Sequence, residues 1–213
     1  MLLVDKTVKE YVSEAMSGDP TPGGGSVAAL VGSLGGALTN MVGNLTIGKK
    51  VYEDVPPEMK EKMEENFKKI EKVVEELNLI IDRDASAFDK AMDAFKLPKT
   101  TDEEKKIRSQ AIQEGYKAAL EVPLACAQEC FKILELQDVF AHYGNIGAIT
   151  DVGVGTLLAY AGIEGALFNV IINLKSIKDE DYAKKVNEKV DALMANGKTL
   201  RDEMLKVVYS RLG

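Results

Sequence analysis

Hydrophobic side chains recur in alternating steps of four and three between residues 63 and 95. This spacing predicts a long α-helix whose apolar face packs against neighbouring helices in a bundle. Every position of that face except Asp84 is apolar: Met63, Phe67, Ile70, Val74, Leu77, Ile81, Phe88, Ala91 and Phe95. A carboxylate there must be paired, hydrogen-bonded or protonated, because burying a bare charge is costly. Asp84 is therefore either a structural partner of a neighbouring group or, as we predict, a catalytic residue.

A run without charged side chains extends from Thr21 to Gly48. It begins with Pro22 and three glycines, which do not suit a helix interior, and continues as an apolar segment. Ser26 is predicted to be the N-cap of a buried helix over Ser26–Ile47. The free N–H groups and the dipole at such a helix N-terminus favour an anion, although a tight turn with good capping explains the same pattern. The candidate ligand-binding residues are Gly23, Gly24, Gly25 and Ser26.

A second nearly uncharged run, Ala148 to Leu174, predicts another buried helix. At helical spacing it carries one stripe that is polar at both ends and small in the middle: Asp151, Gly155, Leu158, Gly162, Ala166, Asn169 and Asn173. Such a stripe suits either a close helix–helix contact or a flat ligand. Asp151 is the second candidate catalytic carboxylate, with simple capping of the helix N-terminus as the alternative.

The remaining segments also have helical periodicity. An amphipathic helix is predicted from Val4 to Met16. Another, capped by Asp102 or Thr101, meets Pro123, which should kink or divide it. The last helix spans about residues 179–212. Since no strand pattern of any length is present, we predict a single all-α domain over residues 1–213, an up-and-down bundle of about six helices.

Composition narrows the classes of function. The 213 residues carry a net charge of −7, which argues against nonspecific nucleic-acid binding. Cys126 and Cys130 do not suit a disulfide framework and no signal peptide is recognised, so we expect a cytoplasmic location. His142 is the only histidine, which argues against a histidine-based zinc site, and no metal is assigned. Polar side chains within the run from Thr21 to Gly48 argue against a membrane span.

The segment from Gly43 to Lys50 matches the first seven positions of a nucleotide-binding P-loop. The eighth position of that motif is Ser or Thr, which holds magnesium, whereas this chain has Lys50. A P-loop also joins a strand to a helix, and here the segment ends a predicted helix. Nucleotide hydrolysis is therefore not supported.

Six blocks, in order and over almost the entire chain, are similar to those of one known family: PTPGGGSVAAL, MVGNLTIGKK, IDRDASAF, ALEVP, GNIGAITD and NVIINLKSIKDE. They resemble the formiminotransferase–cyclodeaminase C-terminal family. The resemblance implies an all-helical, dimeric enzyme that acts on tetrahydrofolate derivatives. It would be either a formiminotetrahydrofolate cyclodeaminase or a stand-alone methenyltetrahydrofolate cyclohydrolase.

The chemistry that this resemblance implies needs no cofactor, metal or covalent nucleophile. Cyclodeamination requires one group to take the N10 proton and another to protonate the departing ammonia, whereas the cyclohydrolase reaction requires a base for water. Asp84 and Asp151 are the expected acid/base groups. Folate carries one glutamate or several, so Lys49 and Lys50 are expected to bind carboxylates. The amides expected to bind the pterin are Asn145, Asn169 and Asn173.

A non-catalytic helical scaffold or partner-binding module would explain the apolar face and the buried helices equally well. It would not explain why a Gly-rich loop, a carboxylate in an apolar face and a polar-ended stripe occur together. The two uncharged helices also offer more apolar surface than a six-helix monomer readily covers. We therefore predict a homodimer with at least one of these helices near the two-fold axis.

Overall fold

The structure, a computed structural model, describes residues 1–89 and 91–213 in full and the backbone of Lys90. Two short 3-10 helices span Leu3–Asp5 and Ile146–Ala148. The α-helices of the described chain are α1 (Val8–Ala15), α2 (Gly24–Asn44), α3 (Lys50–Glu53), α4 (Pro57–Ala94), α5 (Asp102–Tyr143), α6 (Ile149–Leu174) and α7 (Glu180–Leu212).

The all-α prediction is confirmed, since the described residues form helices and turns and no strand. α2 and α6 correspond to the two uncharged runs. They lie antiparallel to each other, because Gly24 of α2 is beside Asn169 of α6 while Gly35 is beside Gly155. α4 packs against α2 and α5, and α7 packs against α6 and α5. α3 is a single turn, so the bundle itself is made of the longer helices.

Small residues allow the backbones of α2 and α6 to touch. A Cβ at Gly35 would lie 2.8 Å from the Gly155 carbonyl oxygen and 2.9 Å from the Ala159 nitrogen, and a Cβ at Gly155 would lie 2.8 Å from the Gly35 oxygen. Side chains at these positions would force the helices apart, since packed interiors leave no room for such an approach. The middle of the predicted small-residue stripe therefore forms a helix–helix contact.

Buried polar side chains fix the register of the central helices. Gln137 of α5 donates to Thr39 Oγ1 of α2 at 2.7 Å and accepts from Thr156 Oγ1 of α6 at 3.0 Å. On another face of α2, Ser33 donates to Asn78 Oδ1 of α4 at 2.7 Å. A shift of one helix would leave such buried groups without partners, at a cost of about 1–3 kcal/mol for each group.

The first helix differs from its prediction. It is shorter, because the Thr7 side chain caps it and the helix begins at Val8. Its apolar face is also largely uncovered, since Val8, Val12 and Met16 are 82%, 51% and 80% exposed and Tyr11 is its buried residue. The amphipathic pattern was correct, but within one chain most of the apolar face of α1 has no partner.

The fifth helix also differs from its prediction in one respect. α5 continues through Pro123 from Asp102 to Tyr143, so the proline does not divide it. Of the two predicted capping residues, Thr101 caps the start of α5, since its side chain accepts from the Glu104 N–H.

The α2–α6 surface is the exposed apolar surface of these two helices. By length and composition alone, α2 and the segment Ile146–Leu174 are each able to cross a membrane, a test that core helices also pass. Within the bundle, 56% of the most apolar 18-residue stretch of α2 is buried, and 44% of the corresponding stretch of Ile146–Leu174 is buried. The exposed apolar residues that make up the α2–α6 surface are Leu34, Met41, Leu45, Val154, Leu157, Phe168, Ile171 and Ile172.

We expect Gly35→Ala to lower the free energy of unfolding by about 1–3 kcal/mol, because the added methyl group would meet backbone atoms of α6. Alanine is intrinsically the better helix former by about 0.5–1 kcal/mol, so propensity alone predicts the opposite sign. Gly165→Ala is the matched control, since its Cβ would meet Ala28 Cβ at an ordinary 3.5 Å. Urea denaturation compares the two, and equal stabilities would contradict the backbone contact.

Candidate active site

Asp84 of α4 lies against the N-terminus of α2. Its Oδ2 is 3.4 Å from the Ser26 hydroxyl, and the Ser26 backbone N–H also donates to the carboxylate. Gly25 is so close that a Cβ there would overlap the carboxylate oxygens. The candidate catalytic carboxylate and the candidate Gly-rich loop are thus in direct contact. The anion at this helix N-terminus is a side chain of the protein itself.

The prediction that Ser26 is the N-cap of the second helix is wrong. α2 begins two residues earlier, at Gly24, with Gly23 as an N-cap that has no side chain to bond. Ser26 is fully buried instead, and its hydroxyl donates to the Ile81 carbonyl oxygen of α4 at 2.8 Å. This bond holds the first turn of α2 against α4, next to Asp84.

Burial raises the pKa of Asp84 above its ordinary value of 3.8, and the hydrogen bonds from Ser26 lower it by less. A carboxyl with a raised pKa exchanges protons nearer to neutral pH, which suits a general acid or base. Because folding favours the neutral form, the stability that Asp84 contributes is fully present below its unfolded pKa. That contribution is lost as the pH rises through its folded pKa.

A cavity of about 220 Å³ opens beside Asp84. α6 supplies Asn169 and Asn173 to the lining of this cavity. The C-terminal, polar end of the predicted stripe on α6 therefore lies at the cavity. The amide oxygens of these two residues receive no hydrogen bond from the residues that the structure describes. The other residues that line the cavity are Pro20, Thr21, Gly23, Gly24, Phe88, Ala119 and Ile172.

Three other predicted binding residues lie at the opposite end of α2. Lys49 and Lys50 follow its C-terminal end and are exposed. Asn145 is held at the same end, where its side chain donates to the Leu45 carbonyl at 3.1 Å and its Oδ1 accepts from the Gly147 N–H at 2.9 Å. Asn145 thus closes the turn between α5 and α6.

Asp151 is also far from the cavity. It lies in the first turn of α6, about 27 Å along the helix from Asn169 at 1.5 Å per residue. A single chain therefore does not bring Asp151 and Asp84 to one ligand. The predicted site residues form two groups, and the group that lines a cavity contains Asp84, Asn169 and Asn173.

Tyr11 is a polar residue near this group that the sequence pattern did not reveal. It is 7% exposed, and its hydroxyl has no hydrogen-bond partner among the described residues. Burial, with smaller effects from the negative charges of Asp84 and Asp82, raises the pKa of Tyr11 to about 12. The hydroxyl therefore stays protonated and available as a donor. In the sequence, Tyr11 resembles any other apolar position of an amphipathic helix.

The chemistry of the cavity favours an organic ligand. Its polar side chains are mainly one carboxyl and two amides, which match N–H and C=O groups. Among the side chains that the structure describes, no group of three His, Cys, Asp or Glu is arranged to hold a metal ion. Cys126 and Cys130 are free and buried in the core, away from this lining.

Known proteins share both this sequence and this fold. Residues 7–192 match the profile of the formiminotransferase-cyclodeaminase family. The chain is 39% identical over 208 residues to a methenyltetrahydrofolate cyclohydrolase of Methylorubrum extorquens, which covers 98% of each chain. It is 34% identical to a formimidoyltransferase-cyclodeaminase of Mus musculus over 92% of this chain, but it spans 36% of that protein.

A solved structure has the same architecture. The crystal structure of a formiminotetrahydrofolate cyclodeaminase from Thermotoga maritima aligns with a TM-score of 0.85. The two sequences are 28% identical, and the alignment covers 98% of each chain. The bundle seen here is therefore also the fold of an independently determined chain of similar length.

We expect Gly25→Ala to destabilise the fold by about 1–3 kcal/mol, because its methyl group would overlap the Asp84 carboxylate. Asp84→Ala removes that carboxylate, so the double variant should recover part of the loss, with a coupling energy of about 0.5–3 kcal/mol. Urea denaturation of the four proteins measures this coupling. Gly165→Ala is the control, since its Cβ would meet Ala28 Cβ at an ordinary 3.5 Å and lies away from the carboxylate. Strictly additive effects of the Gly25 and Asp84 changes would contradict the contact.

Proposed function

Because the chain belongs to the formiminotransferase-cyclodeaminase family, we propose that it is a folate-dependent one-carbon enzyme. It acts at the N5/N10 bridge of a tetrahydrofolate derivative by general acid/base catalysis. The observation that carries this proposal is the raised pKa of Asp84 beside a cavity whose other polar side chains include Asn169 and Asn173. A non-catalytic scaffold needs neither a cavity nor a perturbed carboxyl in it.

The first candidate reaction is that of a methenyltetrahydrofolate cyclohydrolase. This choice is supported by the relative of that name, which is 39% identical and has a matching length. Water adds to the bridging carbon and loses protons, the bond from that carbon to one ring nitrogen breaks, and the nitrogen takes up a proton. The reaction releases one proton overall, so it needs a group that accepts and returns protons at the bridge.

The second candidate reaction is formiminotetrahydrofolate cyclodeamination. It is supported by the structural neighbour of that name, which also has a matching length. N10 attacks the formimino carbon and loses a proton, and the departing nitrogen gains protons and leaves as ammonia. We do not extend the proposal to formimidoyl transfer, because the chain spans 36% of the mouse enzyme that carries both names.

Asp84 serves as the acid/base group in either reaction. The Ser26 N–H and the positive end of the α2 dipole stabilise its ionised form, and the Ser26 hydroxyl adds a longer contact of 3.4 Å. That form accepts a proton from the attacking water or from N10. Burial stabilises the neutral form, which returns the proton to the departing nitrogen. Because these effects oppose each other, Asp84 can be ionised at one step of the catalytic cycle and protonated at another.

The size of the cavity limits what it holds. Its volume of about 220 Å³ is below the ~300–1,000 Å³ of pockets for whole drug-sized ligands. We therefore place the pterin and the bridge in the cavity, with Phe88 and Ile172 against the flat ring. The aminobenzoyl-glutamate part of the folate would extend past Pro20 and Thr21 out of the cavity.

We further propose that a second copy of the chain covers the α2–α6 surface. Val154, Leu157 and Phe168 of this surface are 47%, 51% and 61% exposed. Monomeric proteins rarely expose contiguous apolar surface of this kind, and a two-fold contact would bury it in both copies. α2 carries no charged residue, and beyond its first turn α6 carries one, Glu164. Few charges would therefore have to be buried in such a contact.

This homodimer would also bring the two groups of predicted site residues together. A two-fold axis perpendicular to α2 places the C-terminal end of α2 in one protomer near the N-terminal end of α2 in its partner. Lys49 and Lys50 would then approach the cavity of the partner. Their charges would meet the glutamate carboxylates of the folate, including those of a polyglutamate chain.

We expect the purified protein to convert methenyltetrahydrofolate or formiminotetrahydrofolate. The absorbance of methenyltetrahydrofolate measures its consumption in the first reaction and its formation in the second. Asp84→Asn keeps the shape but cannot exchange a proton, so it should lower kcat by about two to four orders of magnitude. Since the pKa of Asp84 is raised, kcat/KM of the wild type should fall, as the pH is lowered, at a higher pH than for an ordinary carboxylate. Asp89→Asn, an exposed change on the same helix, is the control.

Two results would contradict this assignment. Failure of the wild type to convert either substrate would remove the proposed function. Near-full activity of Asp84→Asn would remove Asp84 from the mechanism and make Asp151 the next acid/base candidate to substitute.

The proposed homodimer predicts about twice the chain mass in light scattering at micromolar concentration. Phe168→Glu places a charge on the α2–α6 surface and should shift the mass toward the monomer. Tyr209→Glu is the matched control, because Tyr209 is similarly exposed, at 69%, but lies on α7. A monomeric wild type, or equal masses for the two variants, would contradict this interface.

A further inference from the structure

Pro123 leaves one backbone carbonyl of α5 without its helical partner. The residue is buried in the middle of this continuous helix. Proline has no N–H, so the Ala119 carbonyl, four residues earlier, receives no bond from position 123. A proline inside a helix is unfavourable by about 3 kcal/mol relative to alanine. A buried helix that retains one raises the question of what the free carbonyl does.

The Ala119 carbonyl lies at the cavity beside Asp84. Ala119 is the residue of α5 in the cavity lining. Its oxygen is 3.5 Å from Asn173 Nδ2, the longest distance at which such a bond forms. A carbonyl oxygen has two lone pairs, so this long contact leaves room for a further hydrogen bond. Pro123 therefore creates an acceptor where the ligand is proposed to bind.

A second acceptor lies next to the first. Asn173 Oδ1 belongs to the same amide group whose nitrogen approaches Ala119, and it receives no hydrogen bond from the described residues. Two neighbouring acceptors match a primary amino group, which carries two N–H donors. In a tetrahydrofolate the primary amino group is the exocyclic 2-amino group of the pterin. A ligand that carries both donors forms two hydrogen bonds that an analogue without them cannot form, so such a pair selects for the amino group.

We propose that the Ala119 carbonyl, kept free by Pro123, accepts a hydrogen bond from the 2-amino group of the pterin. Asn173 Oδ1 accepts the second N–H of that group. Pro123 is then a positioning residue that sets ligand specificity without touching the ligand. This inference rests on the proposed folate function. It adds the orientation of the ring, with its amino edge toward α5 and α6.

The test compares tetrahydrofolate with its 2-desamino analogue by equilibrium binding. The wild type should prefer tetrahydrofolate by about tenfold, the range expected for two hydrogen bonds that the analogue cannot form. Pro123→Ala supplies an N–H that closes the helical bond to Ala119, so this variant should bind both ligands with similar, weaker affinity. Val122→Ala also removes two carbons from the adjacent position but adds no N–H, and it should keep the preference.

Each outcome decides a separate question. If the wild type does not bind tetrahydrofolate, the proposed function fails. If it binds both ligands equally, or if Pro123→Ala keeps the full preference, the inference about Pro123 and Ala119 is wrong. An equal loss of preference in Val122→Ala would attribute the effect to packing and would also overturn it. If Pro123→Ala does not fold, Asn173→Leu tests the second acceptor in its place. An undiminished preference in Asn173→Leu would overturn the proposal.

Discussion

The contact between Asp84 and the first turn of α2 is the interaction on which the candidate site depends. A half-buried carboxyl is costly unless hydrogen bonds and the helix dipole stabilise its charge, and here both come from the α2 N-terminus at Ser26. The contact requires glycine at position 25, because a side chain would occupy the place of the carboxylate. It also requires α2 to stay against α4, which the bond from Ser26 to the Ile81 carbonyl ensures.

A second contact, about three helical turns further along α2, sets the shape of the cavity. Gly35 and Gly155 bring the backbones of α2 and α6 together. The same antiparallel packing then places Asn169 directly over Gly24, where an added Cβ would lie 3.2 Å from the amide nitrogen. A wider helix separation would move the amide away from the Asp84 side of the cavity. The uncharged, small-residue character of both helices is thus a condition for the site.

Many residues of the site were predictable from the sequence, but the contacts between them were not. Asp84 was visible because it interrupts an otherwise apolar periodic face, and the Gly-rich segment because its composition excludes a helix interior. The sequence did not show that these features are in contact, so the loop was predicted to bind an anionic part of the ligand. In the structure it contacts Asp84. Tyr11 and Gln137 gave no signal, because an aromatic or amide residue in a helix becomes distinctive only when its burial and partners are known.

The same limit explains why Lys49 and Asp151 were grouped with Asp84. Hydrophobic periodicity reports that a surface is buried, but it does not report which chain buries it. In the structure, most apolar residues of α1 and those of the α2–α6 surface remain uncovered, although the sequence predicts that both are buried. Residues at opposite ends of α2 are about 30 Å apart within one chain, but a two-fold axis across that helix exchanges its ends. The proposed partner copy would account for both the uncovered α2–α6 surface and the divided set of polar residues.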